Sequence, residues 1–307
     1  MNDGVLDVVS VSLGSVKRDT DQEVEVLGRR VRLRRVGTGG DLAAARAMIE
    51  ELDGKVDAIG LGGIDLYFAV KDKRYYVRDA LRLARAAKLT PVVCGAGLKN
   101  TLERMSIRAL APTLAWPGRR VLMVSAVDRF GMAEELARQG ADVFYGDVVF
   151  ALGLPVPVRT LGGLVRLANV LAPIVVRVPF KWLYPTGSAQ EKEPDERKFA
   201  RYYEWAEVLA GDWHFIKRYA PASLAGKVVL TNTTTPDDVE FLRRRGASKL
   251  ITTTPRFGGR SVGTNLLEAT FVAMEGARGE LTPERYAELV TAARLEPTTI
   301  DLQGGAA

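Results

Sequence analysis

The 307-residue sequence predicts an α/β fold of two α/β domains, the second Rossmann-like with a mainly parallel sheet, followed by closing C-terminal helices. Three observations predict it. Strand and helix signals alternate nearly throughout, the pattern that places helices against a parallel sheet. The stretch from Arg120 to Asp147 reads as a buried strand, a tight turn, a helix and a second strand ending in an acid, which is the order of a nucleotide-binding βαβ half. A composition of 47% hydrophobic and 26% charged residues supplies enough apolar material for two packed cores in a chain of this length.

The elements follow in order. Leu6–Leu13 and Val31–Val36 read as strands, the second alternating apolar and polar residues. Gly37-Thr-Gly-Gly-Asp41 turns the chain, and Asp41 is placed to cap a helix over Leu42–Leu52. Val56–Leu61 is a buried strand, Arg78–Lys88 an amphipathic helix, and Thr90–Cys94 a further strand. These make an N-terminal substrate domain over residues 1–117. The nucleotide-binding domain, 118–262, begins with the strand at Arg120 and continues through strands at Ile174–Val178, Lys227–Thr231 and Lys249–Thr252. Phe180–Pro194, rich in aromatics, turn residues and charge, reads as a surface excursion or lid, and an aromatic helix is expected over Glu196–Leu209. Residues 263–307 supply the closing helices, Asn265–Gly276 and Pro283–Ala293, which pack back on the N-terminal domain; Thr282 is the N-cap before Pro283 at the first helical position.

Composition excludes several classes of chemistry. One cysteine, Cys94, rules out an intrachain disulfide and a cysteine metal cluster, and one histidine, His214, leaves little for a His-ligated metal, so no metal site is expected. The net charge of +6 comes from arginines spread along amphipathic helices, and the basic runs Arg29–Arg35 and Arg243–Arg245 lack interleaved aromatics, so a nucleic-acid partner is not expected. No run reaches the roughly 18 apolar residues of a membrane span, and the start of the chain lacks a signal-peptide pattern, so no membrane partner and a cytoplasmic location are the expectations. The partner expected instead is an anionic small molecule, with a homodimer as the assembly the sequence admits.

Four segments carry candidate chemistry. In Ser125-Ala-Val-Asp128-Arg129-Phe-Gly131, amides at a helix start would face a phosphate, with Ser125 adding a hydroxyl, Arg129 a charge, and Asp147 about twenty residues on accepting from a ribose. The glycines depart from G-x-G-x-x-G, and Asp128 as an N-cap would engage the same amides and repel phosphate, which leaves a purely structural βα turn open. Cys94-Gly-Ala-Gly97-Leu-Lys99-Asn100-Thr101 follows a strand directly; Lys99 and Asn100 would hold a carboxylate or hydroxyl, or Lys99 would move a proton, against the alternative of a glycine loop feeding a helix. Gly60-Leu-Gly-Gly-Ile-Asp65 puts a carboxylate on a turn after another strand. Thr231–Pro236, with Asn232 and Thr233, and Thr252–Asn265, with Arg256, Gly258, Gly259 and Arg260, end β-branched strands in hydroxyls and arginines suited to an anion.

Leu13-Gly-Ser, Gly60–Asp65, Gly97-Leu-Lys-Asn-Thr-Leu-Glu103 and Gly258-Gly-Arg-Ser-Val-Gly-Thr-Asn265 together resemble the bacterial proteins labelled quinate or shikimate 5-dehydrogenase-like. The resemblance implies an NAD(P)-dependent oxidoreductase acting on a hydroxylated carboxylic acid in a cleft between the domains. Lys99 and Asp65 would be the catalytic pair, with Asn100, Thr101 and Gly97 on the substrate. NAD or NADP would be held by Ser125, Asp128, Arg129, Gly131, Asp147, Asn232, Thr233, Arg256, Gly258, Gly259 and Arg260. Two alternatives stay beside this reading: a non-catalytic ligand-binding protein that kept the fold, and a transferase using another nucleotide-containing donor.

Overall fold

A computed structural model describes residues 4–179, 199–257 and 260–303. The chain forms two compact units, the first from residues 1–101, 170–191 and 263–294, the second from 102–169, 192–262 and 295–307. Both are α/β.

Unit 1 is built on a five-stranded sheet in the order β2-β3-β1-β4-β7. Its strands are β1 (Leu6–Ser12), β2 (Thr20–Val26), β3 (Arg29–Gly37), β4 (Ala58–Gly62) and β7 (Val92–Val93), and a separate hairpin joins β5 (Tyr67–Val70) to β6 (Lys73–Tyr76). β1 pairs in parallel with β3 and β4, and β4 with β7; the central strands β1 and β4 are buried nearly throughout, whereas β3 alternates buried apolar residues with arginines, and only β2 runs antiparallel, on the edge. Leu27 and Gly28, with φ of 49° and 74°, make the two-residue turn between β2 and β3, the left-handed pair that suits a tight hairpin. The basic run of β3 has a local use: Arg32 pairs with Asp21, Arg34 with Asp7 and Arg35 with Asp19. Asp41 caps the helix Leu42–Leu52 by accepting from the Ala43 and Ala44 amides. The helix Thr264–Glu275 lies against β1 and β4, and Val9, Val11, Ile49, Ile59, Leu61 and Leu83 sit in the core.

Unit 2 carries a six-stranded sheet in the order β15-β12-β11-β10-β8-β9, from β8 (Arg120–Met123), β9 (Asp142–Tyr145), β10 (Val208–Ala210), β11 (Val228–Thr231), β12 (Lys249–Thr252) and β15 (Thr298–Asp301). Every pairing is parallel except that of β12 with β15, and a short hairpin joins β13 (Arg256–Phe257) to β14 (Arg260–Ser261). Its core is aromatic: Phe144, Phe150, Phe199, Tyr203 and Trp213 pack with Leu122, Leu209 and Leu250. Each such side chain, fully buried, contributes on the order of 1.5–3 kcal/mol.

Several expected elements differ. The run Ile174–Val178 is no strand; its first two residues end the helix Leu161–Val175, which buries Leu164, Ala168 and Ala172 at helical spacing, so packing of that stripe overrides the β-branched preference. The aromatic helix is limited to Ala200–Trp205, after which the chain extends into β10 at the centre of the sheet. The expected excursion over Phe180–Pro194 lies outside the described residues. Among the described residues no helix is long and apolar enough to cross a membrane, and no group of three or more His, Cys, Asp or Glu side chains is placed to hold a metal ion.

Candidate functional site

In unit 1 the winding reverses around β1, with β3 on one side and β4 on the other. Carboxyl ends of parallel strands beside such a reversal are where open α/β sheets place ligands. After β4 the chain turns through Gly63, at φ +74°, to Asp65; after β7 it turns through Cys94 and Gly95, at φ +89°, into the helix Ala96–Leu114. The first turn of that helix carries Lys99, whose Nζ donates to Asp65 Oδ2 at 2.7 Å, with the two side chains 9% and 21% exposed. The structure therefore brings together the two residues that lie 34 positions apart in the chain.

The glycines around this pair make room for a helix. A Cβ on Gly60 would lie 2.6 Å from the Asn265 carbonyl oxygen, and one on Gly95 would lie 2.5 Å from the Asn265 amide nitrogen. The helix Thr264–Glu275 can start where it does only because both positions lack a side chain. Asn265 Nδ2 donates to Ser10 Oγ at 2.6 Å, and Arg35 donates to Ser12 Oγ at 2.9 Å, so two serines of β1 are tied to their neighbours.

Glu268, buried on that same helix, accepts from the Gly95 amide at 2.5 Å, from the Leu98 amide at 3.0 Å and from the Tyr286 hydroxyl. Burial, reinforced by repulsion from Glu280, pushes its carboxyl up to about 7, against the pull of those donors. Glu280 accepts from the Tyr67 hydroxyl at 2.7 Å and pairs with Arg74. Gly97 sits beneath both acids, its missing Cβ leaving the space that Glu268 Oε1 and Glu280 use. Thr101 returns its hydroxyl to the Gly97 carbonyl, and Asn100 is half-buried between Lys99 and Thr101. Burial pushes the Cys94 thiol up, with Asp65 and Glu268 adding to the shift, which makes it a poor nucleophile.

The carboxyl ends in unit 2 are arranged otherwise. The amides of Ala126 and Val127, expected to face a phosphate, donate to Asp147 at 3.1 and 2.9 Å. Asp147 thus closes the turn with its own carboxylate, and burial pushes it up to about 6. Arg129 points inward, 2% exposed, where it pairs with the fully buried Glu103 and reaches Asp212 Oδ2 at 3.4 Å and Asp128 Oδ2 at 4.0 Å. Ser125 accepts from the Asp212 amide, and Gly131 is buried inside the helix Phe130–Arg138. Asn232 receives the hydroxyls of Thr231 and Thr254, Thr233 is half-buried beside it, and Thr235 with Asp238 forms a capping box for the helix Pro236–Arg244. Gly258 and Gly259 lie outside the described residues, as do the side chains of Arg256 and Arg260. Sequence reasoning missed Glu268, Glu280, Asn265 and Glu103; Glu103 and Asn265 stood inside segments already singled out, and no local pattern marks the other two.

No curated protein matches the sequence. Among solved structures, the chain is similar to an ABC transporter solute-binding protein from Agrobacterium vitis with bound allitol, at 10% identity and TM-score 0.39, covering 98% of this chain and 96% of that one. It is similar to a sugar ABC transport substrate-binding protein from Bordetella parapertussis at 12% identity and TM-score 0.40, covering 98% and 93%. It is also similar to hetero-hexameric glutamate dehydrogenase from Thermus thermophilus at 14% identity and TM-score 0.43, covering 94% and 73%. These findings correct the expected resemblance to quinate/shikimate 5-dehydrogenase-like proteins and, with it, the oxidoreductase reading: the similar structures are mainly sugar-binding proteins of ABC transporters. Residues 7–94 match the model described as Domain of unknown function (DUF8753). Residues 97–302 match the model described as Domain of unknown function (DUF8754), and the chain belongs to that family.

Proposed function

We propose that this protein is a non-catalytic binder of a small polyhydroxylated molecule, held at the carboxyl edge of the unit 1 sheet by Lys99 and Asp65. The observation that carries the reading is the pair itself: an ammonium and a carboxylate 2.7 Å apart, largely withdrawn from water, on two turns that follow parallel strands. A hydroxyl group both donates and accepts, so adjacent hydroxyls complement a donor-only ammonium beside an acceptor-only carboxylate. Bonds to charged partners are about twice as strong as neutral ones, and partial burial keeps water from competing for them. A ligand carboxylate or phosphate would meet the Asp65 charge, so hydroxyls are favoured over the anion first expected.

Calorimetric titration with a panel of pentitols, hexitols and aldoses tests the reading. One member of the panel is expected to bind and to be recovered unchanged by mass spectrometry. Lys99→Met and Asp65→Asn should each weaken that binding about tenfold or more, the loss of one charged hydrogen bond, with the far-ultraviolet circular dichroism preserved. Absence of heat from every panel member at millimolar concentration would remove the proposal.

A further inference from the structure

We propose that Glu268 is a positioning residue whose charge holds the first turn of the helix Ala96–Leu114 in the orientation that aims Lys99 at Asp65. The inference rests on the ligand-binding reading for its purpose, though not for its test.

Gly95, the residue before that helix, has no side chain with which to cap it, and the turn is held from another element. The Gly95 and Leu98 amides both donate to Glu268, which stands 173 and 170 residues further along the chain on the helix Thr264–Glu275. Leu98 immediately precedes Lys99, so the bond to its amide sets the rotation of the turn from which Lys99 reaches Asp65. Gly97 between them has no side chain, and a Cβ there would stand 2.8 Å from Glu268 Oε1. The carboxylate can approach the turn this closely only because residue 97 is glycine.

The arrangement depends on charge. Glu268 is 1% exposed, and its partners are two amides and the Tyr286 hydroxyl, none of them cationic. The positive end of the helix dipole helps to balance the ion, while Glu280 across Gly97 opposes it. The groups facing this centre are Glu280 and Tyr286 on the segment after the helix, Tyr67 and Arg74 of the β5–β6 hairpin bound to Glu280, and Cys94, Asp65 and Lys99 on the turns that follow β7 and β4. Adding a proton turns one acceptor oxygen into a donor and reduces both amide bonds to neutral strength. Burial and Glu280 bring that change up to about 7, so the turn loosens as the medium passes from slightly alkaline to slightly acid.

Hydrogen exchange of the Gly95 and Leu98 amides, followed by NMR and corrected for intrinsic rates, reads this directly. Their protection factors should fall about tenfold as Glu268 takes up its proton, the difference between a charged and a neutral hydrogen bond, while the Ile107 amide further along the helix stays level. Glu268→Gln should give low protection independent of pH. Tyr286→Phe, which keeps the carboxylate and removes one donor, should move the midpoint to higher pH and serves if Glu268→Gln fails to fold. Protection flat across the range in the natural protein, or a midpoint that Tyr286→Phe leaves unmoved, overturns the assignment. The titrating amides owe nothing to ligand, so a protein that shows them and binds no polyol keeps the positioning role and loses the proposed function. Polyol binding with flat protection does the reverse.

Discussion

The carboxyl edges of the two sheets contain the same kind of material, a buried ion pair beside a glycine- or serine-containing turn, and treat it differently. In unit 2 the pair is sealed: Arg129 and Glu103 are 2% and 0% exposed, and Asp147 fills the neighbouring turn amides. In unit 1 the pair of Lys99 and Asp65 reaches solvent through the carboxylate, one-fifth exposed. Glu268 occupies the amides next to it and leaves the pair itself at the edge. In both units the turn amides that look ready for an anion are taken by a carboxylate of the chain itself, and what differs is whether the ion pair beside them reaches solvent.

The comparison can be broken first at the sealed pair. Glu103→Ala leaves the Arg129 charge buried and should cost about 3–5 kcal/mol in urea unfolding, whereas the double change Glu103→Leu with Arg129→Met should recover most of it. A cost for the single change below about 1 kcal/mol would mean that the pair is not sealed. Next comes Gly95→Ala, which forces a side chain to φ +89° and against the Asn265 amide nitrogen. The strain and overpacking should cost about 3 kcal/mol by thermal unfolding, and a neutral result would show that the helix Thr264–Glu275 yields easily.

The acid in the unit 2 turn sharpens the contrast through pH. The folded state holds the Asp147 proton up to about 6, above its ordinary 3.8, so between those values the native protein binds more protons than the unfolded chain. This group therefore favours folding at the acid end of the window and loses that contribution as pH rises through about 6. Unfolding in urea across the window should show a slope to which Glu268, raised to about 7, also contributes, and Asp147→Asn should make it shallower by the Asp147 share. The smallest stability effect is expected at Lys99→Met, about 1 kcal/mol, because Asp65 can rehydrate where Glu103 and Arg129 cannot.

Much of the fold was legible in local patterns. The βαβ from Arg120 to Asp147, the Asp41 cap and the Thr282–Pro283 helix start all rest on short-range physics and stand where expected. β2 and β15 were missed because Thr20–Val26 and Thr298–Asp301 are polar, exposed edge strands whose pairing partners decide them. Within the candidate site, Lys99 and Asp65 were visible as a charged residue on each of two turns after strands. The use of Asp147 was not, since an acid at a strand end looks the same whether it receives a ribose hydroxyl or the amides of its own turn. Glu268 carries no sequence sign, because its meaning comes from Gly95 and Gly97, far earlier in the chain.

The most direct test of the central claim follows Lys99 itself. After reductive ¹³C-methylation of the lysines, the Lys99 resonance, assigned by its loss in Lys99→Arg, is monitored while the polyol panel is titrated. A binding polyol should displace the Asp65 contact and shift that signal in step with the calorimetric isotherm. A polyol that binds while the Lys99 signal stays fixed would contradict the account.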